Sequence, residues 1–182
     1  SLFAPQAPRK VHADFLKAGC RAIETNTFGA TRITLKEYAL ENRVKEINQA
    51  AVRIAREAME SVPGDGLRFV TGSIGPTSRL PSLGQISFDD MAAAYLEQIE
   101  ALWEAGVDLF LVETCQDLLQ TKSALYALAG HFRKVGSRCP VMVSVTLESA
   151  GTMLLGSDIG AVQTILDPFD MIDVVGINCA TG

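Results

Sequence analysis

The sequence predicts an α/β fold: a TIM (β/α)8 barrel, present as an incomplete portion with about five parallel strands. Short apolar segments rich in β-branched residues alternate with amphipathic helical segments along the whole chain, and this alternation is typical of a parallel sheet with right-handed crossovers. A doubly wound sheet is the competing architecture, but Gly72-Ser73-Ile74-Gly75 does not have the spacing of its glycine-rich phosphate turn. Because a closed barrel of this type needs eight strands, five leave it incomplete.

The first part of the chain is predicted to hold two helices around one strand. Residues 1–9 contain two prolines and are predicted to form a loop, followed by a short helix that stops at Gly19. Residues 21–26 are predicted to form a strand. Apolar residues then recur at steps of three and four over 40–58, which predicts an amphipathic helix that ends before residues 63–66. The apolar residues of the first helix are Val11, Phe15 and Leu16.

The second part continues the same alternation. Ser87 is predicted to cap a helix, since serine oxygens accept hydrogen bonds from the free N–H groups of a first turn. The final strand, 174–177, is apolar throughout, which predicts burial on both faces. The predicted strands are 69–74, 108–112, 141–146 and 174–177, and the predicted helices are 88–102, 118–132 and 158–166.

Composition and charge exclude several classes of protein. The 182 residues are 48% hydrophobic and 20% charged, as in globular domains, and the net charge of -5 argues against a nucleic-acid or anionic-membrane partner. No apolar run approaches the ~20 residues of a transmembrane helix, and the first residues lack the organisation of a signal peptide. The four cysteines are far apart with no CxxC pair, so we expect a reducing cytoplasm.

Polar residues follow the predicted strands, at the end of a parallel barrel where active sites lie. Two apolar strands each end in Glu-Thr, at Glu24 and at Glu113. A carboxylate at the rim of an apolar barrel is costly without a partner, which predicts a bound cation or amine; the alternative is a structural hydrogen bond to neighbouring backbone. Cys179, at the end of the last strand, is placed to bind a metal or act as a nucleophile, or else is a small buried residue. His12 and His131 are predicted to be solvated surface residues, which argues against Ser/His/Asp catalysis.

Four motifs in register carry a resemblance over residues 10–182. Together they resemble the homocysteine S-methyltransferase domain family, and within it the homocysteine-binding barrel of cobalamin-dependent methionine synthases. The motifs are Glu24-Thr25-Asn26-Thr27-Phe28-Gly29, Gly75-Pro76-Thr77, Val112-Glu113-Thr114 and Gly176-Ile177-Asn178-Cys179.

The resemblance implies the chemistry of the site. The family is a TIM barrel that binds zinc through three cysteines. By resemblance Cys179 is the first of these zinc ligands and the catalytic residue. Glu113 matches the carboxylate that binds the amino group of homocysteine, while Asn26 and Asn178 line the pocket. Zinc would hold the substrate sulfur as a thiolate, which then attacks an activated methyl group.

Two family motifs have no counterpart in the sequence. Nothing before Val11 resembles the Asp-Gly-Ala-Met-Gly motif of the first strand, and the Gly-Gly-Cys-Cys motif that supplies the other two zinc ligands is absent. We therefore expect residues 1–182 to be a partial homocysteine-binding barrel domain without the first strand and the last two strands. Cys20 and Cys139 lie at the opposite end of the barrel, and Cys115 has no motif that supports it as a ligand.

The resulting hypothesis is a zinc-dependent domain that methylates homocysteine to methionine, and the isolated chain is expected to be inactive. The methyl donor (methylcobalamin, methyltetrahydrofolate, betaine or S-methylmethionine) is left open, with cobalamin expected to act through other domains of a parent protein. One alternative is a metal-free barrel lyase or aldolase with Glu113 as general base. A second alternative is a structural fragment without catalytic activity.

Overall fold

The structure, a computed structural model, describes residues 2–64 and 66–179. No helix in those ranges is long and apolar enough to cross a membrane. The helices are α1 (Gln6–Lys17), α2 (Arg32–Leu35), α3 (Val44–Ser61), α4 (Phe88–Glu104), α5 (Leu118–Val135) and α6 (Ile159–Leu166). The strands are β1 (Ala22–Glu24), β2 (Phe69–Ile74), β3 (Leu109–Cys115), β4 (Val141–Thr146) and β5 (Ile172–Asn178).

The five strands form one parallel sheet in the order β1-β2-β3-β4-β5. Each strand is therefore the spatial neighbour of the next strand along the chain, as in the wall of a (β/α) barrel and unlike a doubly wound sheet, whose strand order reverses. All the strands point the same way, so their carboxyl ends lie along one edge. This confirms the predicted α/β class with five parallel strands.

The helices cover one face of the sheet, and alternate strand residues pack against them. On this face Val70, Ile74, Phe110 and Val143 are almost fully buried. The opposite face carries Glu24, Leu111, Glu113, Met142 and Ser144, which lie in or beside open cavities. The largest side chains of the core are fully enclosed between sheet and helices: Tyr95, Phe110, Ile74, Met91, Ile99, Leu102, Leu125 and Leu128.

The first helix begins earlier than predicted. Residues 1–9 were expected to form a loop, but α1 starts at Gln6 with Pro5 before it and Pro8 in its first turn. Proline is compatible with these positions because the first N–H groups of a helix have no partner within the helix. The predicted stop is confirmed, since Gly19 has a φ of 101° directly after the helix. Of the predicted apolar face, Leu16 is buried, whereas Val11 and Phe15 are more than half exposed.

The second long helix begins later than predicted and the last strand is less buried. The pattern predicted a helix from residue 40, but 40–43 form a short 3-10 segment and its flank, and α3 starts at Val44. Burial of the final strand on both faces was a wrong prediction: Val174, Val175 and Ile177 are 46%, 44% and 52% exposed. Among the described residues β5 pairs only with β4, so its other edge and much of its surface lack neighbours.

Both histidines are buried, contrary to the prediction of solvated surface positions. His12 is 7% exposed, while His131 is 4% exposed and packs edge-to-face on Trp103, with 5.3 Å between the ring centroids. Neither ring nitrogen of His131 has a hydrogen-bond partner within residues 2–64 and 66–179. Burial lowers the pKa of both histidines, and at His131 the carboxylates of Glu100 and Glu104 oppose this shift while Lys134 adds to it.

Acid should therefore loosen the packing of α5. Below the ordinary histidine pKa of 6.5 the unfolded chain binds protons that the folded chain takes up only at lower pH. The free energy of unfolding should consequently fall as pH drops from ~7.5 to ~5.5. Amide hydrogen exchange of α5, corrected for its intrinsic pH dependence, should show this loss of protection. His131→Phe keeps an aromatic ring against Trp103 and should weaken the pH dependence. Identical pH profiles of α5 protection in the wild type and this variant would contradict a role for His131.

Candidate active site

The carboxyl edge of the sheet brings the predicted polar residues together. Glu24 and Asn26, at the end of β1, line a cavity of about 510 Å³ with Ser73 of β2 and Glu113 of β3. His12 of α1 lines the same cavity. Each of these five side chains carries a group that can donate or accept a hydrogen bond.

A second cavity continues along the open face of the sheet. It has a volume of about 250 Å³ and shares Glu24 and Glu113 with the first cavity. Ser144 of β4 and Asn178 of β5 complete its polar lining. The two carboxylates thus lie between a cavity against α1 and a smaller cavity that extends toward the last strand.

Glu113 lies on the open face of the sheet, two residues after Leu111, and belongs to a β-bulge in β3. Val112 pairs with Val143 and Cys115 pairs with Val145, so Glu113 and Thr114 together stand opposite one residue of β4. Thr114 has a φ of 59°, a left-handed conformation that is strained for a β-branched residue. Bulges of this kind redirect side chains next to active sites. Here the extra residue turns Cys115 to the helix-covered face, where it is 3% exposed.

Ser73 holds the Glu113 carboxylate. The Ser73 hydroxyl donates to Glu113 Oε1 at 2.5 Å, and Ser73 is 1% exposed. Glu113 therefore bonds to a side chain, not to neighbouring backbone as the structural alternative required. Glu24 has no hydrogen-bond partner in the described part of the chain, and loss of surrounding water together with the charge of Glu113 raises its pKa. Because Glu24 is exposed as a whole residue, solvent screens part of this effect.

Asn178 joins the ends of three strands. Its Oδ1 accepts from the hydroxyl of Ser144 at 2.7 Å, and its Nδ2 donates to Thr114 Oγ1 at 2.8 Å. The same nitrogen lies 3.2 Å from the sulfur of Cys179. The amide thus links the strained bulge of β3, the end of β4 and the neighbouring thiol. Cys179 itself is exposed and has a φ of 60°.

Loss of the Asn178 amide should free the thiol. In the intact protein, Asn178→Ala removes the contacts to Ser144, Thr114 and Cys179, and we expect activity or zinc affinity to fall about 10-fold, the lower range for groups that orient a metal ligand. Methionine formation and bound zinc should be measured together. Asn48, a buried amide in α3, supplies the control: Asn48→Ala should cost stability without the same effect on zinc. Wild-type values for Asn178→Ala would show that Asn178 only ends the strand.

The other cysteines do not complete a metal site among the described residues. Cys115 is enclosed by the core, and burial raises the pKa of its thiol to about 12. Cys139 precedes β4 at the amino end of the sheet, and burial raises its pKa to about 11. Cys20 precedes β1 at that same end. No group of three histidine, cysteine or acidic side chains within residues 2–64 and 66–179 could hold a metal ion.

Four side chains of the site had no role predicted from the sequence: Ser73, Thr114, Ser144 and His12. Ser144 interrupts an apolar strand at the position that faces away from the helices, which is a signal that the pattern contained. The contact of Thr114 with Asn178 depends on the β-bulge, which no local sequence feature indicates. His12 was predicted to be a solvated surface residue because it was expected on a helix that faces no shared site, whereas it is buried and lines the cavity.

A larger cavity lies away from this site. It has a volume of about 810 Å³ and is lined by the loops after β1 and β2 and by α4, with Arg32, Arg79 and Asp90 among its residues. None of the strand-end residues with a predicted role lines it. Size alone therefore does not identify the functional cavity. The candidate site is identified instead by the polar residues that meet at the carboxyl ends of the strands.

The family follows from a comparison with known proteins. The family model described as Homocysteine S-methyltransferase matches residues 1–181. The chain therefore belongs to the homocysteine S-methyltransferase family, as the four motifs indicated. Its architecture agrees with this: the metallated form of the homocysteine methyltransferase MmuM from Escherichia coli superposes with a TM-score of 0.83 at 26% identity, covering 98% of this chain and 64% of that chain.

Particular relatives are more similar in sequence. The methionine synthases of Mycobacterium tuberculosis and Mycobacterium leprae are each 40% identical to this chain over 179 residues, or 98% of its length. The chain spans 15% of the length of either relative. The apo form of the E. coli enzyme superposes with a TM-score of 0.76 at 25% identity, over 98% of this chain and 63% of that one.

Proposed function

We propose that this domain binds homocysteine at the carboxyl edge of its sheet and takes part in the methylation of homocysteine to methionine. The observation that carries the proposal is the Glu113 carboxylate, which Ser73 holds in a cavity shared with Glu24 and Asn26. An amino acid substrate carries an ammonium group at neutral pH, and a carboxylate in a fixed position binds it by a charge-assisted hydrogen bond.

The site has room and polarity for the rest of the substrate. We assign Glu113 to the amino group, and Asn26 and Asn178 to the walls of the pocket. The sulfur would point along the second cavity toward Asn178 and Cys179, because that cavity runs from Glu113 to β5. In the reaction the sulfur forms a bond to the methyl carbon, the methyl carbon separates from its donor, and the thiol proton passes to solvent.

Cys179 is our candidate for a zinc ligand, and the described residues do not form a complete zinc site. They supply one exposed thiol at the strand edge, whereas structural and catalytic zinc sites use at least three protein ligands. Chelation by several ligands is what makes such sites tight. The two further cysteines implied by the family would have to come from outside residues 1–182.

The wider setting of the domain is also a proposal. The relatives named methionine synthase are several times longer than this chain, which supports other domains as partners. We propose that the methyl donor, cobalamin-dependent or not, binds to one of those domains. All four cysteines are unpaired. Free thiols favour a reducing compartment, and we propose the cytoplasm and a place in one-carbon metabolism.

The test is a methionine-formation assay on the intact protein. Homocysteine would be supplied with methylcobalamin, methyltetrahydrofolate, betaine or S-methylmethionine in turn, and methionine would be measured directly. We expect methionine from at least one donor, and loss of that product in Cys179→Ser. Absence of product with all four donors, in protein that carries zinc, would contradict the proposed reaction.

A further inference from the structure

A directed chain of hydrogen bonds runs from the helix layer to Glu113. Gln98 of α4 donates from Nε2 to the Thr27 carbonyl at 2.8 Å and to Asn48 Oδ1 at 3.3 Å. Thr27 Oγ1 donates to the Ser73 carbonyl at 2.7 Å. Both helical side chains are fully buried, and Thr27 is 1% exposed. Buried polar side chains of this kind are costly unless they are bonded, so a continuous set of them fixes the backbone that it contacts.

The hydrogens in this chain can be arranged in one way only. Since the Thr27 hydroxyl proton goes to the Ser73 carbonyl, the 2.6 Å contact between Thr25 Oγ1 and Thr27 Oγ1 must have Thr25 as donor. Thr25 Oγ1 then accepts from the Ser73 N–H at 3.1 Å. Both backbone groups of Ser73 are thereby held by threonine hydroxyls, and its own hydroxyl proton is free for Glu113 Oε1.

The threonines and the cavity residues alternate along one segment. Thr25 and Thr27 are buried and bond to Ser73, whereas Glu24 before Thr25 and Asn26 between the two threonines are exposed. Glu24, Asn26 and the adjoining Thr25 line the cavity. The backbone turns at Asn26, where the Thr27 N–H donates to the Thr25 carbonyl at 2.8 Å. One short segment thus supplies both the pocket wall and the support behind it.

We propose that Ser73 is the positioning residue for Glu113, held in turn by Thr25 and Thr27. Ser73 occupies one carboxylate oxygen and stabilises its negative charge, which leaves the other oxygen to receive the ammonium group of the substrate. The carboxylate is thus oriented before the ligand arrives, and less conformational freedom is lost on binding. This inference rests on the proposed function, because it specifies how the amino group is recognised.

The test compares two ligands in the intact protein by calorimetric titration. Homocysteine carries the amino group, and 4-mercaptobutanoate is the same molecule without it. Ser73→Ala should raise the Kd for homocysteine about 10-fold, near the lower limit for one charge-assisted hydrogen bond, and leave the Kd for 4-mercaptobutanoate unchanged. Ser73→Thr keeps the hydroxyl and should restore most of the affinity. Ser123→Ala removes another buried serine hydroxyl, from α5, and should affect neither ligand.

Different failures have different meanings. Equal weakening of both ligands by Ser73→Ala would indicate a merely structural role and overturn the inference. An unchanged Kd for homocysteine would overturn it as well, while homocysteine binding by the wild type would leave the proposed function standing. In a Glu113→Gln background, Ser73→Ala should add little; a full additional effect there would also contradict positioning through Glu113. A wild type that binds no homocysteine would overturn the proposed function and this inference with it.

Discussion

Glu113→Gln should weaken homocysteine binding by about 1.5–3 kcal/mol, which is roughly 10- to 150-fold in Kd. Glutamine has the shape of glutamate and can still accept from the Ser73 hydroxyl, so the bulge and the cavity should be preserved. What is lost is the negative charge that faces the ammonium group. Zinc content of the intact protein should not change, because Glu113 is not among the proposed metal ligands.

Glu148 provides the matched control for that substitution. It is another partly exposed glutamate just beyond the end of a strand, β4, but it lines neither of the two cavities. Glu148→Gln should leave the Kd for homocysteine within about twofold, as for surface substitutions of small effect. Equal affinities for wild type and Glu113→Gln would remove Glu113 from the substrate site.

The isolated 182-residue chain should not retain zinc stoichiometrically and should form no methionine. Cys179 is one thiol at the carboxyl edge of the sheet, and one thiol lacks the chelation that makes zinc sites tight. Burial keeps Cys115 protonated, with a pKa of about 12, and the exposed Cys20 lies at the opposite end of the sheet. Metal analysis after dialysis against a weak chelator would check the first statement, and a methionine assay the second.

The Cys179→Ser variant should have different effects on zinc binding in the isolated chain and in the intact protein. In the isolated chain it should change zinc retention little, since little zinc is held. In the intact protein it should lower zinc content clearly, because one of the proposed ligands is lost. One tightly bound zinc per isolated chain, with turnover, would mean that the ligand set implied by the family is wrong for this protein.

Alternating hydrophobic patterns were sufficient to predict the sheet. The short segments rich in apolar and β-branched residues predicted the strands within a few residues, and three-four spacing did the same for α3. The ends of the elements were less predictable. The helix α1 begins at Gln6, earlier than predicted, because proline is tolerated in a first helical turn. The exposure of β5 depends on which elements pack beside it, and a strand's own sequence does not contain that information.

For the site, sequence patterns predicted which residues meet but not what holds them. Glu113 and Asn178 were expected at the strand edge, and the structure places both there. The bulge at Thr114 was not predictable, since it arises from how β3 and β4 pair. The burial of His131 likewise depends on Trp103 from another helix. Tertiary contacts of this kind decide burial and register, which local propensity leaves open.

A structure of the intact protein with homocysteine bound would test the central claim most directly. The account predicts the amino nitrogen of homocysteine at ~2.7–3.2 Å from the Glu113 oxygen that Ser73 does not occupy, and the sulfur directed toward Asn178 and Cys179. Homocysteine bound elsewhere, for example in the cavity beside Arg32 and Arg79, or with its amino group turned away from Glu113, would contradict it.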